Sequence, residues 1–326
     1  MADEPRRQVM LRWIGSRLLA AVVAMLIASI IIYGSLKLVP GDPLAAITSG
    51  RRLSPEQRAT LRETLGLDEG FVTGYLRWLG GVLHGDFGQS LVYGSSVNDL
   101  IASRLPTTIT LVIYAAILAL VVGLVIALVS ATRPGVLDRI GLVVTSVSIA
   151  TPSFVVALIL IGVFSVQLQL FPATGSGADG GLADMVYHLT LPAITLAIVT
   201  FGLIARVSRA AFREELDSEH VEVARSRGVA SGNILRKHVI RNSLGPIMTL
   251  TALLIASLFI GTAVVESAFG VDGVGALLVT TIGRRDFPVV QAISLMSVAL
   301  FVLTSTLADL ALPLIDPRVR AVGALT

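Results

Sequence analysis

The sequence predicts an all-α polytopic membrane protein with six transmembrane helices and both termini in the cytoplasm. Only 14% of its 326 residues are charged, against roughly 25% in an average soluble domain. The charges also leave six long uncharged windows, each long enough for a bilayer-spanning helix of about 20 apolar residues. This pattern excludes a soluble enzyme and a disordered chain, and the absence of Cys excludes a disulfide scaffold. The windows are 18–36, 105–132, 140–178, 185–205, 242–265 and 287–308.

The first window predicts an uncleaved transmembrane helix at 18–39, preceded by a cytoplasmic N-terminus at 1–17. Its charged start resembles that of a signal peptide, but its apolar stretch is longer than the 7–15 residues that such a peptide carries. Leu38-Val39-Pro40-Gly41 also lacks the small residues of a cleavage site. We therefore expect the helix to remain in the mature protein.

The third window is too long for one helix and too short for two spans with a turn. At 1.5 Å per residue its 39 residues would make roughly 58 Å of helix, whereas two spans need about 40 residues plus a connection. Phe171-Pro172 and the glycines that follow are typical of a loop. The sequence therefore predicts one span at about 140–166.

The distribution of Lys and Arg orients the six spans. Segments 1–17, 131–139, 206–241 and 315–326 carry 4, 2, 8 and 2 basic residues, and cytoplasmic loops are enriched in such residues. A seventh span would place 206–241 on the outer face, against this bias. Six spans are therefore predicted, with helices 2–6 at 105–314 and a cytoplasmic tail at 315–326. The modest net charge of +3 and the position of the basic residues beside the spans predict no nucleic-acid partner.

Residues 40–104 form the predicted extracytoplasmic helical segment. Ser54-Pro55-Glu56 is a typical helix start, and Gly66 ends that helix after about Leu65. A second helix is predicted at 71–83, with apolar residues at helical spacing around Tyr75 and Trp78. Composition leaves two interpretations open: a cap on the membrane surface, or a docking face for an external partner.

The inner segment 206–241 is predicted to contain a short amphipathic helix near 217–228. Asp217 or Ser218 is a candidate N-cap, and acidic residues fill the first turns. Gly228 supplies the left-handed residue that ends a helix. Ser231 begins another helix that leads into the fifth window. An ordinary solvated basic loop is the alternative.

Glu222-Val223-Ala224-x-x-x-Gly228 resembles the EAA loop of ABC-importer permeases, the segment that docks on the ATPase subunit. Further motifs, in order along nearly the whole chain, resemble the dipeptide/oligopeptide branch and its first (dipeptide-permease B-like) subunit. The chain departs from the general pattern where Val223 replaces Ala and where His238-Val239-Ile240-Arg241 replaces Ile-x-Leu-Pro. Glu222 also stands where the peptide branch often has a basic residue. The motifs are Pro40-Gly41-Asp42-Pro43, Tyr75-Leu76-Arg77-Trp78-Leu79, Gly85-Asp86-Phe87-Gly88, Arg104-Leu105-Pro106, Thr151-Pro152-Ser153-Phe154, Leu170-Phe171-Pro172-Ala173, Val265-Glu266, Asp286-Phe287-Pro288-Val289-Val290-Gln291 and Asp316-Pro317-Arg318-Val319-Arg320.

The resemblance implies a type I ABC-importer permease in the cytoplasmic (inner) membrane that supplies half of a translocation pathway. It implies three kinds of partner besides the lipid bilayer: a homologous second permease, two ATP-binding-cassette ATPases or one fused chain, and an extracytoplasmic substrate-binding protein. ATP and Mg would be bound by those ATPases, and no cofactor by this chain. The residues that the resemblance assigns to ATPase coupling are Glu219, Val221, Glu222, Val223, Ala224, Arg225, Arg227 and Gly228.

The chain carries no motif for catalysis or metal binding. It has no Gly-x-x-x-x-Gly-Lys-Ser/Thr loop, and its four His residues lack metal-ligand spacing. Ser146, Ser148, Thr151 and Ser153 are candidates to line the pathway, although small polar residues in membrane helices more often mediate helix packing. The substrate stays open among dipeptides, oligopeptides, nickel chelates, glutathione and haem. A stand-alone secondary carrier or a membrane enzyme is the alternative class.

Overall fold

The computed structural model describes residues 4–38, 54, 56 and 70–315, and this part of the chain is almost entirely helical. The only extended pairing within it is an isolated antiparallel bridge between Gln89 and Ser96. The helices are α1 (Glu4–Leu38), α2 (Phe71–Leu83), α3 (Val97–Thr132), α4 (Val136–Ala150), α5 (Ser153–Leu160), α6 (Leu182–Leu216), α7 (Glu219–Ser226), α8 (Ser231–Ile234), α9 (Arg241–Ala268), α10 (Val274–Arg284) and α11 (Phe287–Ile315). A wide helical turn at Ile161–Gln167 extends α5, and another at Leu235–Ile240 connects α8 to α9.

Five helical stretches in the described residues are long and apolar enough to cross a membrane, and a bent pair makes a sixth if it is one span. This confirms the predicted all-helical membrane class, and the six predicted spans are reached if the bent pair is one span. By length and composition the stretches are Arg12–Ser35, Val97–Thr132, Leu182–Leu216, Ser231–Ala268 and Phe287–Leu310, and the pair is Val136–Ala150 with Ser153–Gln167.

The stretch predicted as one span at 140–166 is a bent pair of helices. α4 ends at Ala150, and the chain turns by 103° before it continues as α5. Pro152 causes the break because it has no amide hydrogen to donate and disfavours helical geometry in the residue before it. Thr151 accordingly has an extended backbone (φ −89°, ψ 122°), and its hydroxyl donates to the carbonyl of Val147 at 2.7 Å.

The long helices run back and forth between two ends, which we call the α7 end and the α10 end. α3 leads from the α10 end to the α7 end. α6 runs in the same direction and ends directly before α7. After α5, the amide of Gly175 donates to the carbonyl of Phe269 beside α10 at 3.1 Å, so the bent pair α4–α5 also passes from one end to the other. Arg17 near the start of α1 contacts Asp309 near the finish of α11 at 3.1 Å. The first and last described helices therefore have their outer termini at the same end.

α3 and α6 form the central helix pair, and small residues let their backbones approach. A Cβ atom on Gly123 would lie 2.9 Å from Cγ2 of Ile204 and 3.1 Å from the carbonyl oxygen of Phe201. Gly202 meets α4 in the same way, with Ser148 Oγ 2.6 Å from its ideal Cβ position. Glycine contacts of this kind are typical of membrane helix pairs, where close packing stabilises association.

The predicted helix at 71–83 is confirmed as α2, whereas the one at 54–65 lies outside the described residues apart from Ser54 and Glu56. α2 packs on α1 through Tyr33, whose ring lies 5.6–5.7 Å from those of Phe71, Tyr75 and Trp78. α3 begins at Val97, eight residues before the apolar window at 105, because Ser96 caps it by accepting from the amide of Asn98.

Candidate functional site

α7 is a short helix held between α6 and α8, where the sequence predicts one. It begins after Ser218, which has the extended backbone of an N-cap residue (φ −75°, ψ 148°), and ends at Ser226. Ser218, one of the two predicted N-cap residues, is therefore the N-cap, but its hydroxyl donates to the carbonyl of Glu215 and accepts no hydrogen bond from α7. Gly228 has φ +76°, as its position after the helix predicts.

One face of α7 packs into an apolar cluster at the α7 end. Val221 is fully buried and Ala224 is 7% exposed. Both residues belong to the set assigned to ATPase coupling, but their side chains face this chain's own helices. The cluster joins α7 to α3, α6 and α9 through Ala127, Ala131, Phe212, Ile234, Val239 and Ile247.

The opposite face of α7 is exposed and charged. Acidic residues lie in its first turns and arginines at its C-terminal end, the order that the helix dipole favours. Of the eight residues assigned to ATPase coupling, the six that lie on this face or directly after it are exposed: Glu219, Glu222, Val223, Arg225, Arg227 and Gly228. The arrangement is an apolar anchor that presents a polar surface.

Polar contacts hold the start of α7 between α6 and α9, and the sequence pattern did not identify them. His220 Nε2 lies 3.3 Å from Glu215 Oε2, and Asn242 Nδ2 donates to the same carboxylate oxygen at 3.2 Å. These contacts connect the finish of α6, the start of α7 and the start of α9. The rings of His220 and His238 lie 5.8 Å apart.

An ion-pair cluster holds α4 to α6 beside α7. Asp138 accepts from Arg209 Nε and Nη2 at 2.7 and 2.9 Å, and from Arg213 Nη2 at 2.9 Å. Asp138 lies in the first turn of α4, where its charge also suits the helix dipole. The bidentate contact fixes the direction in which α4 leaves the α7 end.

At the α10 end, Glu266 is fully buried and joins three helices. Its Oε1 atom accepts from the hydroxyl of Thr108 on α3 at 2.7 Å, and its Oε2 atom accepts from the amide of Ala276 on α10 at 2.9 Å. The Thr108 hydroxyl also accepts from the amide of Val274 at 2.9 Å. The carboxylate therefore lies at the positive N-terminal end of α10.

Asp286 is the second fully buried acid of the α10 end. It lies between α10 and α11 and binds the hairpin 89–96, which the bridge from Gln89 to Ser96 closes. The Ser90 hydroxyl donates to its Oδ2 atom at 2.5 Å, and the amides of Leu91 and Val92 donate to the carboxylate at 3.1 and 3.2 Å.

The sequence matches the models of a known protein family. Residues 119–321 match the model of the family described as binding-protein-dependent transport system inner membrane component, and residues 10–112 match that of the N-terminal part of such membrane components. The chain belongs to this family. The matched segments cover α7 and nearly all of the described helices, so the family assignment extends to both ends of the bundle.

Curated relatives are permeases of similar length. The probable peptide ABC transporter permease protein y4tP of Sinorhizobium fredii is 34% identical over 93% of this chain and 97% of its own. The oligopeptide transport system permease protein AppB of Bacillus subtilis is 34% identical over 95% of this chain and 100% of its own.

Solved structures of ABC transporters share the fold. The inward-facing methionine transporter MetNI matches with a TM-score of 0.56 at 18% identity, covering 67% of this permease and 96% of its own chain. An amino acid ABC transporter solved with histidines matches with a TM-score of 0.53 at 22% identity, covering 66% and 93%. These likenesses support the ABC-importer permease fold that the sequence predicts.

The candidate pathway residues of this permease have different surroundings. The hydroxyl of buried Ser148 donates to the carbonyl of Ile198 on α6, which is a helix-packing contact. Ser146 is exposed and accepts from Arg206 Nη2 at 3.4 Å. Thr151 and Ser153 lie on the two sides of the bend at Pro152, half-buried. Of the four, Ser146 has the most accessible side chain.

Proposed function

We propose that this permease is the transmembrane subunit of an ABC importer for peptides and that it couples to ATPase subunits through residues 217–228. The peptide substrate is supported by the two permeases that are 34% identical over more than nine-tenths of the chain, since their names assign them to peptide and oligopeptide transport. The coupling role is supported by the geometry of α7.

The observation that carries the coupling role is the two-sided character of α7. Val221 and Ala224 anchor it in the cluster shared by α3, α6 and α9, while Glu222, Arg225 and Arg227 are accessible to a partner. Charged side chains of this kind form charge-assisted hydrogen bonds with partner carboxylates and carbonyls. A displacement of α7 by an ATPase is therefore transmitted to the inner parts of three long helices.

The α7 end is proposed to face the cytoplasm. Segment 206–241 carries eight Lys and Arg residues, the enrichment expected of a cytoplasmic loop. This orientation places both termini in the cytoplasm and α10 at the outer face of the inner membrane.

In the Cys-free chain, exposed Ser231 and Ala178 allow a direct test of this orientation. With an impermeant thiol reagent, Ala178→Cys should react in intact cells, and Ser231→Cys only after the membrane is opened. Reaction of Ser231→Cys in intact cells would contradict the orientation.

The importer needs subunits that this chain does not supply. A homologous second permease would provide the other half of the pathway, and an extracytoplasmic binding protein would deliver the substrate. Two ATPases, or one fused chain, would bind ATP and Mg, because this chain contains no P-loop sequence. In this scheme the permease itself performs no chemistry.

The test is transport by the complex purified with its partner subunits and reconstituted in vesicles. We expect import of dipeptides or oligopeptides that requires ATP, the ATPases and the binding protein. Nickel chelates, glutathione and haem serve as competing substrates in the same assay. Import by the permease alone, driven by a proton gradient, would contradict the proposal and favour a secondary carrier.

A further inference from the structure

One side of α2 is fixed to α1. The aromatic residues of α2 pack on α1, as described above. The hydroxyl groups of Tyr75 and Ser29 form a hydrogen bond of 2.8 Å, and the ring of Phe71 lies 3.6 Å from the ideal Cβ position of Gly34. α2 therefore has a defined position along α1.

This position lies within the depth of the bilayer. The apolar window of α1 is bounded by Arg17, which pairs with Asp309 at the α7 end, and by Lys37. The helix between these two charges is about 30 Å long, the thickness of the hydrocarbon core. In a helix along the membrane normal, Ser29 lies about 12 Å inside the boundary at Lys37, and Gly34 about 5 Å inside it. The contacts of α2 are therefore at the level of the leaflet on the α10 side, where Tyr and Trp are enriched in membrane proteins.

A second side of α2 is apolar and exposed. Val72, Leu76, Leu79 and Leu83 follow one another at helical spacing, and Val72, Leu76 and Leu83 are 66%, 59% and 76% exposed. Leu79 comes one turn after Tyr75, so this side adjoins the one that packs on α1. In α1 only 6% of the residues in the apolar stretch are buried. The two helices therefore present adjoining apolar surfaces.

The remaining side of α2 is polar. Thr73 and Arg77 lie on it and are exposed. A helix with an apolar side next to a polar one is typical of the membrane interface, where the apolar side is buried about 5–10 Å into the boundary between headgroups and acyl chains. α2 has both this division of its surface and a position at the corresponding depth.

We propose that α2 is an interfacial helix whose apolar side, formed by Val72, Leu76, Leu79 and Leu83, binds the acyl chains of outer-leaflet phospholipids. The proposal rests on the orientation proposed above. A water-soluble protein reaches the surface of the bilayer but no side chain that lies below it, so lipid is the occupant that fits this depth. Of the two interpretations that composition leaves open, α2 is then a cap on the membrane. An external binding protein can contact only its polar side.

The first experiment identifies what touches Leu76. Leu76→p-benzoylphenylalanine is introduced into the assembled complex in native membranes, and the adducts on this chain are identified by mass spectrometry after irradiation. We expect phospholipid adducts, because benzophenone inserts into the C–H bonds that acyl chains supply.

Thr73→p-benzoylphenylalanine is the matched control, since Thr73 is exposed on the polar side one turn away. We expect the lipid adducts to be lost at this position. A cross-link from position 76 to the binding protein, to the second permease or to residues 40–69 of this chain would show that protein covers the apolar side. That result, or equal lipid adducts at positions 73 and 76, would overturn the proposal.

The second experiment measures how accessible the two sides are to water. Leu76→Cys and Thr73→Cys each place one thiol in a chain that has no other. In intact cells that lack the binding protein, Leu76→Cys should react with an impermeant thiol reagent about tenfold more slowly than Thr73→Cys, because the reactive thiolate is disfavoured in an apolar surrounding. Equal rates would show that the apolar side faces water and would contradict the interfacial position.

The outcomes separate this proposal from the proposed function, because neither experiment depends on transport. Lipid adducts at position 76 in a complex that imports no peptide would support the interfacial helix and reject the peptide substrate. Equal thiol reaction rates in a complex that imports peptides would reject the interfacial helix alone. Reaction of Thr73→Cys only after the membrane is opened would reject the orientation and, with it, the outer leaflet as the site of binding.

Discussion

The two ends of the helical bundle hold their short helices in opposite ways. At the α7 end, Val221 and Ala224 point into the protein, and the charged residues of α7 are exposed. At the α10 end, the acids Glu266 and Asp286 are buried, and apolar side chains of α10 are exposed. The same fold therefore offers a polar surface at one end and an internally fixed apolar surface at the other.

This difference has mechanical consequences. Apolar contacts lose little when the packed surfaces slide slightly, because they have no preferred direction. Hydrogen bonds to a carboxylate weaken steeply when distance or angle changes. We therefore expect α7 to adapt its position to a docked partner, and α10 to keep its position relative to the hairpin 89–96. The four predictions below test this comparison.

The largest effect is expected from Thr108→Val at the α10 end. Val retains the shape of Thr but leaves the amide of Val274 without its acceptor and removes a donor from Glu266. The variant should lower the free energy of unfolding by about 3 kcal/mol, measured by thermal denaturation in detergent. Ser103→Ala is the control, since the exposed Ser103 hydroxyl donates only to Leu100 one turn away. Equal stability of the two variants would mean that apolar packing alone holds α10.

The second prediction distinguishes the buried face of α7 from its exposed face. Ala224→Trp must displace the surrounding helices and should cost about 1–3 kcal/mol of stability through overpacking. Val223→Trp, one residue away and 42% exposed in the wild type, should leave stability unchanged but reduce co-purification of the ATPase subunits. Full ATPase recovery with Val223→Trp would show that the partner does not contact this face.

The sequence predicts the α7 end better than the α10 end, because the signals of α7 are local. The amphipathic spacing of α7, its stop at Gly228 and the helix after Ser231 all lie within a few residues of one another. The contact of Glu266 with Thr108 joins residues 158 positions apart, and that of Asp286 with Ser90 joins residues 196 apart. No periodicity in one sequence indicates such pairs.

The bend at Pro152 illustrates a second limit of sequence analysis. Hydropathy measures whether a segment is apolar, and α4 and α5 are both apolar, so the window continues through the break. Pro152 indicates that a backbone bond is missing, but the turn of 103° also depends on how α4 and α5 pack against α6. The apolar character of this stretch was therefore predictable and its bend was not.

A smaller effect is expected when the backbone after α7 is constrained. Gly228 has φ +76°, with nothing within 4 Å of an ideal Cβ position. Gly228→Val should cost about 1–2 kcal/mol from backbone strain alone, whereas Gly228→Asn should cost less because Asn tolerates this conformation. The measurements are thermal denaturation and import per ATP hydrolysed. If the Val and Asn variants behave alike, the left-handed backbone is dispensable for coupling.

The smallest change in the free energy of unfolding is expected from Asp272→Asn, which removes an exposed ion pair of the α10 end. Asp272 contacts Arg104 at 2.8 Å, but its side chain is 73% exposed. Water and salt screen such a pair, so its loss should change the free energy of unfolding by less than about 1 kcal/mol. The difference from Thr108→Val should persist at high salt, because the buried contacts of Glu266 are not accessible to ions. If Asp272→Asn were as destabilising as Thr108→Val, the exposed ion pair would hold the α10 end, and burial of the carboxylates would not explain its rigidity.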